Sequence, residues 1–274
     1  MGARAPVALT IAGSDSSGGA GVQADLKTFS ALGVYGASVI TALTAQNTLG
    51  VQGVMVVPSA FVTAQIDSVV ADLPIGALKT GMLADRQTVA AVCAAIRHHR
   101  LRPLVVDPVM VATSGDPLLA PDAVEEIRNH LIPLAELITP NLHEAARLLD
   151  APLARTIEET EHQARALLAL GSRAVLVKGG HASGPEAIDV LAFSDHAIHL
   201  PAPRLATRAG HGTGCTLSAA ITALLAGATP IEEAVRRAKT FVWKALSAAD
   251  RLGLGAGSGP VDHLFAIREQ RPPV

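Results

Sequence analysis

The 274-residue sequence predicts an α/β fold in which a mainly parallel sheet carries helices on both faces. The first observation is that short apolar runs alternate with amphipathic segments from residue 7 to about residue 247, a pattern typical of parallel sheets. The second is that a polar side chain or a loop residue stands at or just past the end of six predicted strands. Because open α/β sheets bind ligands at the carboxyl ends of their strands, we expect one binding site at that edge. The six positions are Gly13, Gln46, Met82, Asp107, Asn141 and Lys178.

Composition excludes several classes of protein. The net charge is −2, and the lysines and arginines are scattered, so we expect neither nucleic acid nor an anionic membrane as a partner. Cys93 and Cys215 are too few for a disulfide framework in a chain of this length. The sequence shows neither a signal-peptide pattern nor an apolar stretch long enough to span a membrane. We therefore expect a cytoplasmic globular protein with one domain over residues 1–274.

The chain begins with a predicted buried strand, a glycine-rich loop and a helix. Residues 7–12 are apolar, residues 13–21 are glycines and small polar side chains, and apolar residues recur at helical spacing over residues 22–32. The loop matches neither a Walker A loop nor the dinucleotide fingerprint, so it can hold a substrate as easily as a nucleotide. Asp25 lies one turn into this helix. From its position alone, we favour a role in stabilising the helix dipole, and the alternative is a contact with a ligand.

A second, nearly uncharged strand is predicted over residues 35–45, and Gln46 closes it. The Gln46 amide can both donate and accept hydrogen bonds, as the nitrogen atoms of a heterocycle require. An ordinary turn is the alternative, and it suits Asn47 better than Gln46.

The remainder of the chain continues the alternation. Ser59 and Asp85 are suited to cap helices, and Asp107 follows a strand, where a carboxylate is a candidate for metal binding or catalysis. Residues 188–193 and 196–200 alternate and predict an antiparallel hairpin or flap. The predicted strands cover about 54–57, 75–79, 104–106, 137–139 and 174–177, and the predicted helices cover about 59–71, 85–99, 121–131, 156–170 and 230–245.

Asn141 and Glu144 open a predicted helix directly after a strand. Their spacing places them on one helix face, but asparagine at the N-cap with glutamate three residues later also forms a capping box. The capping box explains the spacing without any function. Lys178 stands at another strand end and is followed by two glycines, a setting that suits a lysine reaching towards phosphate.

Residues 207–226 combine three alternating glycines with a run of small apolar residues, which predicts a loop that turns into a buried helix. Free backbone N–H groups and the helix dipole at such a start favour an anion, especially a phosphoryl group. Cys215 lies in the first predicted turn, where we expect a lowered thiol pKa and partial thiolate character. A plain loop-to-helix turn with a buried cysteine is the alternative.

Six short motifs along the chain recur together in one known family. They are Ala-Gly-Ser-Asp-Ser-Ser-Gly-Gly-Ala-Gly (12–21), Thr-Ala-Gln-Asn-Thr (44–48), Asp-Pro-Val-Met (107–110), Thr-Pro-Asn-Leu-His-Glu (139–144), Val-Lys-Gly-Gly (177–180) and His-Gly-Thr-Gly-Cys-Thr (211–216). Together they resemble the bacterial hydroxymethylpyrimidine/phosphomethylpyrimidine kinases of thiamine synthesis, and the matching motifs occur in the family's order and cover almost the whole chain. The resemblance implies a ribokinase-like fold, a three-layer α/β sandwich with a small β flap and ATP at the carboxyl edge of the strands.

The resemblance also implies a role for each matching position. The aminopyrimidine would be held by Gln46 and by a pocket that is lined by Gly13, Asp25, Met82 and Val109. An anion hole would be formed by Gly212, Thr213 and Gly214, with Cys215 at the position of a catalytic base. Phosphate and magnesium would be bound by Asn141, Glu144 and Lys178, with Asp107 as a further magnesium candidate.

The implied activity is transfer of phosphate from Mg-ATP to the hydroxymethyl group of a pyrimidine, and then to the monophosphate product. We also expect a homodimer. One position departs from the pattern, because we expect lysine in many members where this chain has Thr113, so the resemblance does not support a phosphate contact from that loop. Two alternatives remain, a pyridoxal kinase with the same cysteine loop and a ligand-binding relative without catalysis.

Overall fold

The computed structural model describes residues 5–112, 114–180 and 184–270. Eight of its strands form one sheet with the order β10-β9-β8-β7-β6-β5-β1-β2 once the strands are numbered along the chain. The strands are β1 (Val7–Ala12), β2 (Tyr35–Ile40), β3 (Ala42–Asn47), β4 (Gly50–Val56), β5 (Ala77–Thr80), β6 (Leu104–Val106), β7 (Leu137–Ile138), β8 (Ala174–Val177), β9 (Glu186–Ala192), β10 (Ala197–Pro203), β11 (Ala209–His211) and β12 (Gly259–Pro260).

Helices cover both faces of this sheet and give three layers. One apolar core joins the sheet to α2, α3, α4, α5 and α6, and other apolar clusters join it to α1, α7 and α8 on the opposite face. The helices are α1 (Gly21–Ala31), α2 (Ser59–Asp72), α3 (Arg86–His99), α4 (Ala123–Glu126), α5 (Leu142–Leu149), α6 (Ile157–Leu168), α7 (Thr213–Ala226), α8 (Ile231–Ala249) and α9 (Phe265–Glu269).

The sheet is parallel from β2 to β8, and β9 and β10 add an antiparallel edge. Strands β1, β5, β6 and β8 are buried along their whole length, because helices exclude water from both faces of the sheet. The predicted fold class and the predicted hairpin are therefore confirmed. The hairpin is part of the main sheet. Two two-stranded sheets are separate from it, one of β11 and β12 and one of β3 and β4, which is called the small sheet below.

The prediction of one continuous strand over residues 35–45 was wrong. The chain leaves the main sheet at Thr41, whose N–H donates to the Ala12 carbonyl while its hydroxyl donates to the Met82 carbonyl. Strand β2 ends before Thr41, and β3 begins after it in the two-stranded sheet with β4. An uncharged apolar run is compatible with either sheet, so it does not reveal the change of sheet.

Two other local predictions also need correction. Ser59 is the first residue of α2 and not its cap, because Pro58 occupies the N-cap position. The helix predicted over residues 121–131 is α4, followed by a wider, π-helical turn at Ile127–Leu131. Asp85 caps α3 as predicted, since its carboxylate accepts a hydrogen bond from the Thr88 N–H.

Within the described residues, none of the helices combines the length and the apolar character that crossing a membrane requires.

Candidate active site

Five of the six predicted rim positions follow parallel strands of the main sheet and lie at one edge. Gly13, Met82, Asp107, Asn141 and Lys178 come after β1, β5, β6, β7 and β8, respectively. The sixth, Gln46, lies in β3, so the small sheet carries it and not the main sheet. The structure arranges these positions in two neighbouring groups, one apolar and one charged.

The apolar group contains Gly13, Met82 and Val109. The Gly13 N–H donates to the Met82 carbonyl at 3.0 Å, and a β-carbon on Gly13 would lie 2.8 Å from the Met82 sulfur. Met82 packs with Ala42 and Ala84, and Val109 packs against this cluster. Glycine at position 13 thus allows the Met82 side chain to close over the end of β1.

The Gln46 side chain lies at the wall of a cavity of about 220 Å³. Its amide oxygen lies 3.2 Å from the Thr44 hydroxyl, whose proton is donated to the Ser14 carbonyl at 2.9 Å, so the Gln46 amide keeps its capacity to bond a ligand. Its backbone N–H donates to the Ser16 hydroxyl at 2.9 Å, and that hydroxyl donates to the Gln46 carbonyl. The cavity is also lined by Asn47, Thr48, Leu49, Gly50, Ser114, His211, Gly257 and Ser258.

Asp25 lies in α1 and has no exposed surface. Its carboxylate accepts hydrogen bonds from the Lys79 ammonium at 2.8 Å and from the Thr10 hydroxyl at 2.6 Å. Burial raises the pKa of Asp25, against the opposing effect of Lys79. Burial acts against the charge on Lys79, but Asp25 and the other nearby acidic groups raise the Lys79 pKa above its ordinary value. The two residues therefore form a buried ion pair, and Asp25 is not an exposed residue at the start of the helix. Its contact with a ligand stays a prediction.

The charged group surrounds Lys178. Its ammonium lies 2.9 Å from an Asp107 oxygen and 3.8 Å from a Glu144 oxygen. Asp107 is itself buried, and its other oxygen accepts from the Ser218 hydroxyl of α7 at 3.1 Å. Burial opposes ionisation of Asp107, but Lys178 and Lys79 hold its pKa below the ordinary value. Burial likewise opposes the charge on Lys178, and Asp107 and Glu144 outweigh it and raise the Lys178 pKa.

The capping box between Asn141 and Glu144 is present. The Asn141 side chain accepts from the Glu144 N–H at 2.9 Å, and the Glu144 carboxylate accepts from the Asn141 N–H at 2.7 Å. The capping oxygen of Glu144 is also the one that approaches Lys178. Burial raises the pKa of Glu144 to about 7, against the effect of Lys178. The local helix-capping role is thus confirmed, and a role in binding phosphate or metal stays a prediction.

The start of α7 faces this charged group. Gly212 is the N-cap with φ of 78°, and a β-carbon there would collide with the Gly19 carbonyl. A β-carbon on Gly214 would lie 3.3 Å from the Lys178 ammonium and 3.8 Å from an Asp107 oxygen. The first backbone hydrogen bond of the helix runs from Thr216 to Gly212, so the N–H groups of the residues between them are not used inside the helix. This arrangement suits a phosphoryl group that approaches Lys178.

The expectation of a lowered pKa for Cys215 is contradicted. The residue is half-buried, and this burial raises the thiol pKa to about 11. Lys79 and the Gly21 N–H act in the opposite direction, while the negative charges of Asp25 and Asp107 add to the rise. Loss of hydration outweighs these two lowering effects, so the thiol is neutral at neutral pH.

The carboxylates of Asp107 and Glu144 suit a magnesium ion that is bound jointly with substrate phosphates. Among the described residues, no three His, Cys, Asp or Glu side chains form a cluster that could hold a metal. Asp107 and Glu144 nevertheless lie against the same ammonium, and Mg²⁺ usually combines one or two carboxylates with substrate phosphates and water. Thr113 lies outside the described residues.

Sequence reasoning missed three residues that support the site. Lys79 carries a charge in a buried strand, and a lysine inside an otherwise apolar strand was the available signal. Asp15 and His211 lie 196 residues apart in the sequence and form a contact of 2.7 Å. Their signal was weaker, because an aspartate in a glycine loop and a histidine before Gly212 are each ordinary on their own.

Comparisons with known proteins agree with the resemblance stated above. Residues 15–262 match the family model described as phosphomethylpyrimidine kinase. A hydroxymethylpyrimidine/phosphomethylpyrimidine kinase from Rhizobium meliloti is 56% identical, over 94% of this chain and 96% of the relative. The enzyme of that name from Escherichia coli is 53% identical, over 94% of this chain and 97% of the relative.

Solved structures show the same fold. A Bacillus subtilis pyridoxal kinase in complex with ADP superposes with a TM-score of 0.90 at 36% identity, covering 97% of this chain and all of that one. A phosphomethylpyrimidine kinase from Clostridium difficile superposes with a TM-score of 0.78 at 43% identity, covering 87% of this chain and 98% of that one. These similarities confirm the predicted ribokinase-like fold.

Proposed function

Because the chain belongs to the phosphomethylpyrimidine kinase family, we propose that it phosphorylates 4-amino-5-hydroxymethyl-2-methylpyrimidine and then the resulting monophosphate, using ATP. The observation that carries this proposal is the start of α7, which faces the Lys178 ammonium at the carboxyl edge of the main sheet. The relatives that share more than half of their residues with this chain bear that activity in their names. The products belong to thiamine biosynthesis, as in a related thiamine biosynthesis bifunctional protein at 48% identity.

In the first reaction, the hydroxymethyl oxygen of the pyrimidine bonds to the γ-phosphorus of ATP. The bond from that phosphorus to the bridging oxygen of ADP breaks, and the hydroxyl proton is released. Such transfers need positioning and stabilisation of charge more than covalent chemistry. The backbone N–H groups of Thr213 and Gly214 and the Lys178 ammonium provide fixed positive potential for the transferred group. Asn141 holds the turn that presents Glu144 to Lys178.

The acceptor lies between Gln46 and the start of α7. Gln46 hydrogen-bonds the ring, and Gly13, Met82 and Val109 pack against it, while Asp25 supports the pocket from below through Lys79. Cys215 is placed to orient the acceptor hydroxyl. Because its thiol is neutral at neutral pH, it acts as a hydrogen-bonding group and not as a standing base.

Glu144 and Asp107 would hold Mg²⁺ together with the ATP phosphates, and the ion would neutralise charge on those phosphates. Both carboxylates already lie within 4 Å of the Lys178 ammonium, which keeps them on one side of the charged group. The metal assignment therefore rests on the chemistry of these two carboxylates and on their common contact with the Lys178 ammonium.

The whole chain is proposed to work as one cytoplasmic kinase domain that forms a homodimer. Support for dimerisation comes from apolar side chains on the small sheet, where Leu43, Val54, Met55 and Val56 are each more than 40% exposed. Light scattering in solution tests the dimer.

An assay of ATP consumption with purified protein tests the activity. We expect rapid turnover with the pyrimidine alcohol and with its monophosphate, detected as a monophosphate and a diphosphate product. Pyridoxal is the competing acceptor, because structures with TM-scores near 0.9 are pyridoxal kinases at 32–36% identity. A higher kcat/KM for pyridoxal than for the pyrimidine would overturn the proposal, and no turnover with any of the three would favour a relative without catalysis.

A further inference from the structure

The glycine loop at residues 13–21 is fixed to the strand that carries Gln46. The Ser14 hydroxyl accepts from the Thr44 N–H at 3.0 Å, and the Thr44 hydroxyl donates to the Ser14 carbonyl at 2.9 Å. Two residues further on, the Ser16 hydroxyl bonds both backbone groups of Gln46 at 2.9 Å. One side of the loop therefore determines where the proposed pyrimidine-binding side chain lies.

The other side of the same loop is fixed to the start of α7. The Asp15 carboxylate contacts His211 Nε2 at 2.7 Å, directly before the N-cap residue Gly212. The Gly19 carbonyl packs so closely against Gly212 that a β-carbon there would collide with it. The Gly21 N–H approaches the Cys215 sulfur. The loop is thus a physical connection between the acceptor pocket and the proposed anion hole.

Asp15 holds this loop in one conformation. One carboxylate oxygen accepts from the Ser17 N–H at 2.9 Å and from the Ser17 hydroxyl at 2.8 Å. The other accepts from the Gly19 N–H at 3.0 Å and the Ala20 N–H at 2.7 Å, and it also contacts His211. The side chain is 1% exposed, so it is occupied by protein groups and does not face a ligand.

The charge of Asp15 persists at all working pH values. Burial alone would raise its pKa, but the hydrogen bonds from His211, Ser17 and Ala20 outweigh burial and lower the pKa to about 2. A carboxylate in this state can accept from several donors at once, which a neutral amide of the same shape cannot do.

We propose that Asp15 is a positioning residue for phosphoryl transfer, because it fixes the distance between the acceptor held at Gln46 and the anion hole at Gly212. This inference rests on the proposed function. Asp15 would align the bound substrates without contacting them, since its carboxylate is enclosed and bonded to protein groups. Loss of Asp15 should therefore lower the rate of transfer while both substrates still bind.

The test compares Asp15→Asn with the wild-type enzyme in steady-state kinetics and in calorimetric titrations. We expect kcat to fall about 100-fold for both phosphorylation steps, the size of effect that a misplacement of about 1 Å can produce. The affinity for ATP should stay within about twofold of the wild-type value. The matched control is Asp67→Asn, because Asp67 also contacts a histidine Nε2, that of His99 at 2.6 Å, but lies between α2 and α3 on the surface.

His211→Ala removes the contact of Asp15 with the start of α7, together with one wall residue of the Gln46 cavity. It leaves the four hydrogen bonds that Asp15 accepts from its own loop, so it keeps the test valid if Asp15→Asn fails to fold. We expect a comparable loss of kcat in His211→Ala, and recovery of most activity in His211→Gln, whose amide can still donate to Asp15. In the double variant Asp15→Asn/His211→Ala, kcat should be no more than about threefold lower than in the more strongly affected single variant.

Two results would overturn the inference. One is a kcat in both Asp15→Asn and His211→Ala within twofold of the wild-type value, and the other is a loss that appears only as weaker ATP binding. Failure of the proposed function looks different, because the wild-type enzyme itself would then transfer no phosphate to the pyrimidine.

Discussion

The Lys79 ammonium lies 2.8 Å from the Asp25 carboxylate, and neither side chain has any exposed surface. The two residues come from β5 and α1, and the Thr10 hydroxyl of β1 completes the contact. A buried charge without a partner is strongly unfavourable, so each member depends on the other. The pair also lies close enough to Cys215 for both charges to act on its thiol. The floor of the proposed active site is therefore an ion pair.

Lys79→Met should destabilise the protein by about 3–5 kcal/mol, because it leaves the Asp25 carboxylate buried without a counter-charge. Urea denaturation at pH 7.5 measures the change in the free energy of unfolding. The control is Lys79→Met/Asp25→Asn, which removes both charges and should recover most of the lost stability. If the double variant is as unstable as Lys79→Met, side-chain packing and not the charge pair holds this region together.

Gln46→Ala should weaken binding of the pyrimidine and leave ATP binding nearly unchanged. Loss of a hydrogen bond in a buried setting costs about 1–3 kcal/mol, which corresponds to roughly 5- to 150-fold in affinity. Isothermal titration calorimetry with each ligand measures both affinities. Gln52→Ala is the control, because Gln52 lies on the neighbouring strand β4 and is exposed. Equal pyrimidine affinity in Gln46→Ala and the wild type would remove Gln46 from the site.

Glu144→Gln should raise the magnesium concentration needed for half-maximal rate. The substitution keeps the shape of the side chain and its capping acceptor, but it removes the charge. Glu159→Gln is the matched control, because Glu159 forms the same capping box with Thr156 at the exposed start of α6. If the two variants behave alike, Glu144 serves only the helix.

The pKa of Glu144 adds a second readout to this experiment. Since that pKa is about 7, the carboxyl is largely protonated at pH 6 and ionised at pH 8. The wild-type enzyme should therefore bind magnesium more tightly as pH rises through 7. This increase should be smaller in Glu144→Gln, which has no carboxyl to ionise.

Cys215→Ser should slow both phosphorylation steps by a similar and modest factor. The thiol is protonated at neutral pH, and serine keeps its size and its ability to donate a hydrogen bond. Single-turnover rates with the alcohol and with the monophosphate measure the two losses. A much larger loss in the first step would instead assign Cys215 as the proton acceptor, because only the alcohol must lose a proton from oxygen.

Alkylation of Cys215 by iodoacetamide should report the raised pKa directly. The thiolate is the reactive form, so the rate should increase about tenfold per pH unit up to a pH near 11. A Cys93→Ser background removes the other thiol, which is buried and has a pKa of about 12. A rate that is already constant above pH 7 would show that Cys215 is a thiolate near neutral pH.

Local sequence patterns determined the alternation of strands and helices and the edge at which the candidate residues lie. The carboxylate cap at Asp85 and the capping box of Asn141 and Glu144 could be read directly, because both depend on residues within four positions of each other. The glycines before Cys215 likewise indicated the helix start, since the requirement for positive φ at Gly212 is a property of the local backbone.

Only the tertiary structure decided which distant residues meet and which groups lose contact with water. Lys79 pairs with Asp25 across 54 residues, and His211 meets Asp15 across 196, so no local spacing could reveal either contact. The change of sheet at Thr41 moved Gln46 from the main sheet to the small one. The pKa of Cys215 was expected to fall from its position at a helix start, but it rises because burial removes hydration from the thiol and the nearby Lys79 charge does not compensate for that loss.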